Sequence, residues 1–465
     1  MKLRKTKQKQ LVEKVLITDA AAEGNAIAKI DEMVVFVPFV VPGDVVDLEI
    51  YRKKKNFAQA KAVKIHHYSE QRVEQKCPHF TQCGGCKWQT WDYAEQVKYK
   101  QRQVRDNLER IGKIDCSQMQ TILPSENIYY YRNKLEFTFS TKQWIEDVNS
   151  NKERSLQGAL GFHAPTFLQD DISNQLRNHI RKYSQEKKLE YYDIRSHVGF
   201  LRGMIVRTSS TKELMLIVIF AKQSEEIIPM LDNIKENFPQ ITSLMYCINE
   251  KFNDSISDQE ILLYSGNDHI RETMQAYKSD KILTFKIRPK TFYQTNPQQA
   301  ERLYSIAADF AEIKPSDTVY DLYTGTGTIA NYVAHLAKKV VGVEYVEDAV
   351  EDAKINSEYN QIYNTTFIAG DMAKILNDDF VAQYGTPDVV ITDPPRAGMA
   401  ENVVNQLLKI KARKIVYISC NPATQARDLE LLSPLYNVGK IRPVDMFPHT
   451  HHVENVVELN LKQEN

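Results

Sequence analysis

Apolar and polar positions change their period three times along the chain. Residues 11 to 66 alternate in short apolar runs, LVEKVLITDAA, MVVFVPFVV and DVVDLEIYRKK, broken by Gly24, Pro38, Pro42 and Gly43. Short strands bounded by turn residues predict a small β-barrel. A run of helical period follows, YAEQVKYKQRQVRDNLERIG, with Gly112 as its stop signal. From Tyr129 to about Gly266 strand-like segments return as YYYRNKLEFTFS, GFLRGMIVRTSS, ELMLIVIFAK and SLMYCINE, with one helical stretch near 170–188. A mostly antiparallel α+β central domain is the simplest arrangement of these. After Phe285 the apolar strands TVYDLY, KVVGVEYV, TTFIAGD, DVVITDPP and KIVYISCNP alternate with helical stretches. That alternation predicts a doubly wound α/β domain with a parallel sheet. Two further strands, NVGKIRPVDMFPH and VENVVELNLK, are expected as a final hairpin at the sheet edge. The expected divisions are 1–68, 69–284 and 285–465, with the helix at 93–112 free to pack on the last.

Composition changes this picture little. A chain of 465 residues exceeds what one hydrophobic core supports, and 42% hydrophobic with 26% charged residues is the balance of a folded protein. The longest apolar stretch, Leu214 to Ala221, is too short to span a bilayer. A cytoplasmic protein with no membrane attachment and no obligate protein partner is therefore expected. Sixty basic and sixty acidic residues cancel, so only the distribution of charge speaks for nucleic acid. It is uneven: Lys2, Arg4, Lys5, Lys7, Lys9 and Lys14 open the chain, and Arg52, Lys53, Lys54, Lys55, Lys61 and Lys64 form a second cluster. These lysines either grip phosphates or simply solvate a small domain. The barrel segment with its basic clusters resembles a TRAM domain, a small barrel of oligonucleotide-binding type that holds RNA.

The candidate chemistry lies in the α/β part. The turn Asp321-Leu322-Tyr323-Thr324-Gly325-Thr326-Gly327-Thr328 follows a strand and opens a helix, and its glycines let backbone approach a ligand. Glu344 ends the next strand, 19 residues beyond Gly325, where a carboxylate can accept from ribose hydroxyls. These two features fit a dinucleotide site equally well. Asp393-Pro394-Pro395-Arg396 narrows the choice, because it ends a strand where ligands of open α/β sheets bind and its prolines cannot continue that strand. The motif resembles those of S-adenosylmethionine-dependent methyltransferases. Ser419-Cys420-Asn421-Pro422 ends the following strand, which puts a thiol into the same crevice. A lone cysteine is more often a small core residue, but a strand tip beside the cofactor is not a core position.

Taken together, the motifs resemble the RNA 5-methyluridine methyltransferase family over nearly the whole chain. They are the TRAM-like start, the cysteine group, YRNKLEF at 131–137, FYQTN at 292–296, DLYTGTGT, GVE at 342–344, DPPR, SCNPAT at 419–424 and FPHT with Glu454. The resemblance implies a class I S-adenosylmethionine methyltransferase fold for the last domain. It further implies cofactor binding by Gln294, Tyr323, Glu344 and Asp393, with Thr328 and Asp371 as additional members, Cys420 as nucleophile and Glu454 as base. The chemistry explains the residue types. Carbon 5 of uracil is too poor a nucleophile to attack a sulfonium methyl, whereas a thiolate added to carbon 6 turns the ring into an enolate. A base must then remove the carbon-5 proton, and Glu454, 34 residues beyond Cys420, is the candidate. His449, His451 and His452 cluster ahead of Glu454, where the family usually has one histidine or another polar residue.

Six cysteines in a reducing compartment are not expected to form disulfides. Cys77, Cys83 and Cys86 have the spacing C-x5-C-x2-C around Gly84 and Gly85, which points to iron–sulfur or zinc ligation. Similar family members carry a 4Fe-4S cluster whose fourth cysteine follows a GFH element. Here Gly161-Phe162-His163 leads into APTFLQDD with no cysteine, so another ligand, a segment absent from the chain, or His79 in a zinc site would complete the shell. The spacing is not that of a radical S-adenosylmethionine motif, so a structural or RNA-contacting cluster is expected. Cys116 and Cys247 are expected to be packing residues. Large-subunit 23S rRNA is the expected target, since the barrel and cysteine group resemble ribosomal RNA enzymes more than the smaller transfer-RNA enzymes that lack both. Transfer RNA is the alternative target. An amino-group methyltransferase would usually close its strand-end motif with an aromatic where Arg396 stands, and a non-catalytic RNA-binding protein would need no Cys420.

Overall fold

The computed structural model describes residues 10–141, 159–161 and 166–463. Lys2, Arg4, Lys5, Lys7 and Lys9 of the first basic cluster, and Phe162 and His163 of the GFH element, lie outside these residues. Five strands, β1 (Gln10–Ala20), β2 (Ala26–Ile30), β3 (Met33–Val37), β4 (Val45–Lys53) and β5 (Phe57–His67), close into a barrel in the order β1-β2-β3-β5-β4. Alternate residues point inward, and Ile17, Val35, Val46, Leu48 and Ala58 form its core. The barrel rests on the segment after it: Ala20 and Val41 pack with Trp88, Trp91 and Tyr99, and Trp88 Nε1 donates to the carbonyl of Gly24 (3.1 Å).

Helix α1 (Tyr93–Arg110) starts at Asp92, whose side chain accepts from the Ala94 amide (2.9 Å), and stops two residues before Gly112. A Cβ on Gly112 would lie 2.7 Å from the carbonyl of Ala426, so glycine is what lets this end seat on the helix Pro422–Leu432. The central sheet contains β6 (Lys134–Ser140), β7 (Ala159–Leu160), β8 (Leu201–Thr208), β9 (Leu214–Phe220), β10 (Ser243–Ile248) and β11 (Ile261–Gly266) in the order β11-β10-β9-β8-β6-β7. It is antiparallel except for β9 and β10, which run parallel across the helix Ile227–Asn237. The strand expected from Tyr129 begins only at Lys134, because Tyr130 adopts φ +55° and breaks the extended run. A hairpin of β12 (Ile270–Gln275) and β13 (Ile282–Ile287) crosses position 284 and shares its core with the last domain.

That domain has a seven-stranded sheet of β14 (Thr318–Leu322), β15 (Lys339–Glu344), β16 (Thr365–Ala369), β17 (Val389–Thr392), β18 (Lys414–Ser419), β19 (Tyr436–Val444) and β20 (Glu454–Leu461). The order is β16-β15-β14-β17-β18-β20-β19; β14 to β18 are parallel and β20 is antiparallel to both neighbours. The closing hairpin is thus not simply appended. Its second strand inserts next to β18 because Val456, Val457 and Leu459 are fully buried, while β19, with exposed Asn437, takes the edge. No helix among the described residues is long and apolar enough to cross a membrane.

Candidate active site

Strand order reverses between β14 and β17, and the crevice at such a switch point is where open α/β sheets bind ligands. After β14, Asp321 is buried and folds the glycine turn beneath the sheet end: its Oδ2 accepts from the Thr324 hydroxyl and from the Ala330 amide (3.0 Å). Its Oδ1 is buried without a hydrogen-bond partner, and burial pushes this carboxyl up to about 7. Gly325 adopts φ +55° and its missing side chain faces open space, whereas a Cβ on Gly327 (φ +73°) would meet Ala353 at 2.8 Å. One glycine therefore leaves a cradle open and the other allows close packing.

Of the expected cofactor residues, Glu344 bonds this cradle directly. Glu344 at the end of β15 accepts from the Gly325 amide (3.0 Å) through Oε2 and from the Tyr345 and Val346 amides (2.8 and 3.0 Å) through Oε1. Asp371, just past β16, accepts from the Ala373 amide (3.1 Å). Tyr323, half-buried at φ +64°, has its hydroxyl pushed up to about 12 by burial and by the nearby charges of Asp428, Asp371 and Glu344. Gln294 lies on the other side, where its carbonyl accepts from Asn133 Nδ2 (3.1 Å) and its side chain bonds the buried Tyr304. Tyr304 in turn feels Asp393, Asp321 and Glu454. Thr328 is less directly placed: it is buried one step into the helix, its hydroxyl 3.3 Å from that of Thr326.

Cys420 and Glu454 are brought together by register. Ser419 of β18 pairs with Asn455 of β20, so the two residues flank the same end of an antiparallel pair, next to Asp393 at the end of β17. Asn421 and Thr424 donate to the carbonyl of Arg396 (3.0 and 3.2 Å), tying the thiol turn to the DPPR turn. Burial, with the negative charges of Glu454 and Asp393, pushes the half-buried Cys420 thiol up to about 11, and Arg396 acts in the opposite sense. Burial and Asp393 together raise the Glu454 carboxyl well above its ordinary range, again opposed by Arg396. Asp393 itself is raised to about 7 by burial and Asp321. The arrangement sets a thiol, two buried carboxyls and a guanidinium within electrostatic reach of one another. Asp321 and Arg396 stand in the sequence motifs DLYTGTGT and DPPR without a role of their own, and Tyr304 carries no sequence signal.

The turn before Glu454 is clamped from outside its own domain. Fully buried Lys100 of α1 donates to Asp445 (2.6 Å) and to the Phe447 carbonyl (3.1 Å), and Tyr93 donates to the other Asp445 oxygen (2.8 Å). Gln96 Oε1 accepts from the His449 amide (3.1 Å), while the amides of Lys87 and Trp88 donate to the His449 carbonyl (2.8 and 3.1 Å). Cys77, Cys83 and Cys86 lie in the loop leading to this clamp. Burial pushes the Cys86 thiol up to about 11, the other two thiols adding to the rise, and the Cys77 amide donates to Gln89 (3.0 Å). Among the described residues, no three His, Cys, Asp or Glu side chains are gathered so as to hold a metal ion. Cys116 and Cys247 are buried in apolar cores.

Residues 255–462 match the family described as tRNA (Uracil-5-)-methyltransferase, and residues 10–63 match the TRAM domain. An uncharacterized RNA methyltransferase of Bacteroides thetaiotaomicron is 51% identical, the alignment covering 95% of this chain and 100% of that one. One from Porphyromonas gingivalis is 50% identical over 95% and 98%. Among solved structures, the Pyrococcus abyssi tRNA (uracil-54, C5)-methyltransferase in complex with S-adenosyl-L-homocysteine superposes with a TM-score of 0.72 at 26% identity, covering 97% of this chain and 100% of that one.

Proposed function

The chain belongs to the RNA uracil-5-methyltransferase family, and from that membership we propose that it methylates carbon 5 of a specific uridine through a covalent adduct between Cys420 and uracil carbon 6. The observation that carries this mechanism is the β18–β20 register, which sets Cys420 and Glu454 at one sheet end beside Asp393. S-adenosylmethionine, when bound, supplies the electrophilic methyl group. The open cradle at Gly325 and the orphaned Asp321 oxygen fit such a ligand, with Gln294, Tyr323, Glu344, Asp371 and Asp393 as its holders and Thr328 supporting the turn.

The protein's own steps follow from the residues. Cys420 Sγ, as thiolate, bonds to carbon 6 and leaves carbon 5 electron-rich; once carbon 5 is methylated, Glu454 takes its proton and the carbon–sulfur bond breaks, returning the thiolate. Glu454 acts in the last step as the ionised carboxylate, the form that burial and Asp393 disfavour and that the Arg396 guanidinium favours. We assign 23S rRNA as the target, on the presence of the barrel and the cysteine loop. Transfer RNA is the second reading, favoured by the Pyrococcus enzyme, which matches nearly the whole chain and is named for a transfer-RNA uridine.

One experiment tests chemistry and target together. With 23S rRNA and transfer-RNA transcripts containing 5-fluorouridine, the wild type should form a denaturation-resistant adduct with one of them, Cys420→Ala with neither, while S-adenosylmethionine binding survives. On natural RNA, Glu454→Gln should accumulate a methylated covalent complex. Turnover by Cys420→Ala would remove the covalent route, and normal turnover by Glu454→Gln would move the base elsewhere.

The same reading gives Cys77, Cys83 and Cys86 a 4Fe-4S cluster, with zinc as the alternative. It is supported by three soft thiol donors on one glycine-containing loop, close enough that Cys83 raises the proton affinities of Cys77 and Cys86. Anaerobically purified protein should contain iron and acid-labile sulfide. Stoichiometric zinc without sulfide would replace the cluster by a zinc site, and neither metal would remove both.

A further inference from the structure

Between the cysteine loop and the turn that carries Glu454 lies an aromatic patch that the mechanism does not use. Tyr130 sits at φ +55°, in the left-handed region that side chains other than glycine rarely adopt, and is 48% exposed. Two backbone bonds hold this conformation: the Tyr130 amide donates to the Phe167 carbonyl (2.8 Å) and the Arg132 amide to that of Leu168 (2.7 Å). The consequence is that the Tyr130 and Phe167 rings meet edge to face, 5.9 Å apart, at the surface. Exposed Lys76 stands over this group, its ammonium 4.8 Å from the Tyr129 ring, 4.9 Å from Tyr130 and 5.3 Å from Phe167. Among the described residues no carboxylate pairs with Lys76, so its charge is left to the rings and to whatever approaches them.

The patch is continuous with the active site. Tyr129 packs on His449 with ring centroids 4.5 Å apart and planes 31° apart, and His449 lies in the turn leading to Glu454. Arg132, in the same segment, has its guanidinium 5.7 Å from the Phe447 ring and a buried Nε with no hydrogen-bond partner. Exposed π-faces interleaved with cations are what an unpaired base and its phosphate require, since stacking tolerates any base and the cation neutralises the backbone.

We propose that Lys76, Tyr129, Tyr130 and Phe167 form a stacking platform for an unpaired nucleotide flanking the target uridine. The inference rests on the proposed function, in that it takes RNA as the substrate. A base stacked there is held next to the turn that bears Glu454, so the flank of the target is gripped while the uridine enters the pocket. The strained backbone at Tyr130 is then the device that turns its ring outward.

The test uses short single-stranded RNA with 2-aminopurine on either side of a uridine, bound to full-length protein in a Cys420→Ala background, where no adduct forms. The fluorescence should be quenched at one flanking position, recover several-fold with Tyr130→Ala and remain quenched with Tyr130→Trp, which keeps a ring. Lys76→Gln should weaken binding about tenfold and reduce the salt slope by about one. Identical fluorescence for the parent, Tyr130→Ala and Lys76→Gln proteins at both positions would overturn the platform, as would equal recovery with Tyr130→Trp. A melting temperature lowered by Tyr130→Ala with fluorescence unchanged would likewise return the patch to packing. Wild-type adduct formation on 5-fluorouridine RNA is scored separately, so failure of the covalent mechanism is distinguishable from failure of the platform.

Discussion

Arg396 is the residue whose consequence is easiest to measure. Its guanidinium lowers the proton affinities of both Cys420 and Glu454, against burial and the neighbouring carboxylates that raise them. The thiol, pushed up to about 11, is mostly protonated near neutrality, and adduct formation should quicken as pH rises. Arg396→Met removes the opposing charge, and the thiol's proton affinity climbs further. The pH–rate limb for adduct formation on 5-fluorouridine RNA should therefore move to higher pH; an unmoved limb would mean that Arg396 does not act on the thiol.

Helix α1 holds the turn that leads to Glu454. Lys100 and Asp445 are both fully buried, joined at 2.6 Å, with Tyr93 on the second carboxylate oxygen. Burial lowers the lysine's proton affinity and Asp445 offsets that loss, so the pair is stable only as a pair. Removing one member strands a charge, which costs about 3–5 kcal/mol, whereas replacing both with apolar or neutral groups costs far less. Lys100→Met should thus lower unfolding stability by about that amount in denaturant titrations. Adding Asp445→Asn should restore much of it. If the single and double variants are equally destabilised, the pair is not the source of the stability.

At the scale of the molecule, four cations of the second basic cluster stand together at one turn of the barrel. Arg52, Lys53, Lys54 and Lys55 are exposed at the β4–β5 turn, whereas Lys61 of the same cluster is paired with Glu49 (3.2 Å). Only the unpaired lysines are free to displace counterions from RNA. Changing Lys53, Lys54 and Lys55 to Gln should weaken RNA binding across sequences and flatten the salt dependence by up to about three slope units, roughly one for each phosphate no longer neutralised. An unchanged slope would place the RNA on another face. The packing of Trp88 and Trp91 against the barrel shows why whole-barrel deletion is a poorer test, since it would uncover apolar surface beside the cysteine loop.

Local patterns in the sequence determined the barrel, the parallel sheet and the ends of its strands, because a two-residue or 3.6-residue period reports which face of an element is buried. They also put Asp393 and Cys420 at neighbouring strand ends, since a strand-end turn with fixed residue types exposes those types wherever the sheet lies. Residues whose importance depends on a partner far away in the chain were not legible. Lys100 reads as one more polar position on a helix until Asp445, 345 residues on, is set against it. Tyr130 reads as part of a strand until two long-range backbone bonds force it to positive φ. Insertion of β20 between β18 and β19, which puts Glu454 opposite Cys420, was decided by which of two strands could be buried on both faces. Periodicity fixes the inward face of a strand but not its neighbour, and neighbours are chosen by the packing of the whole sheet.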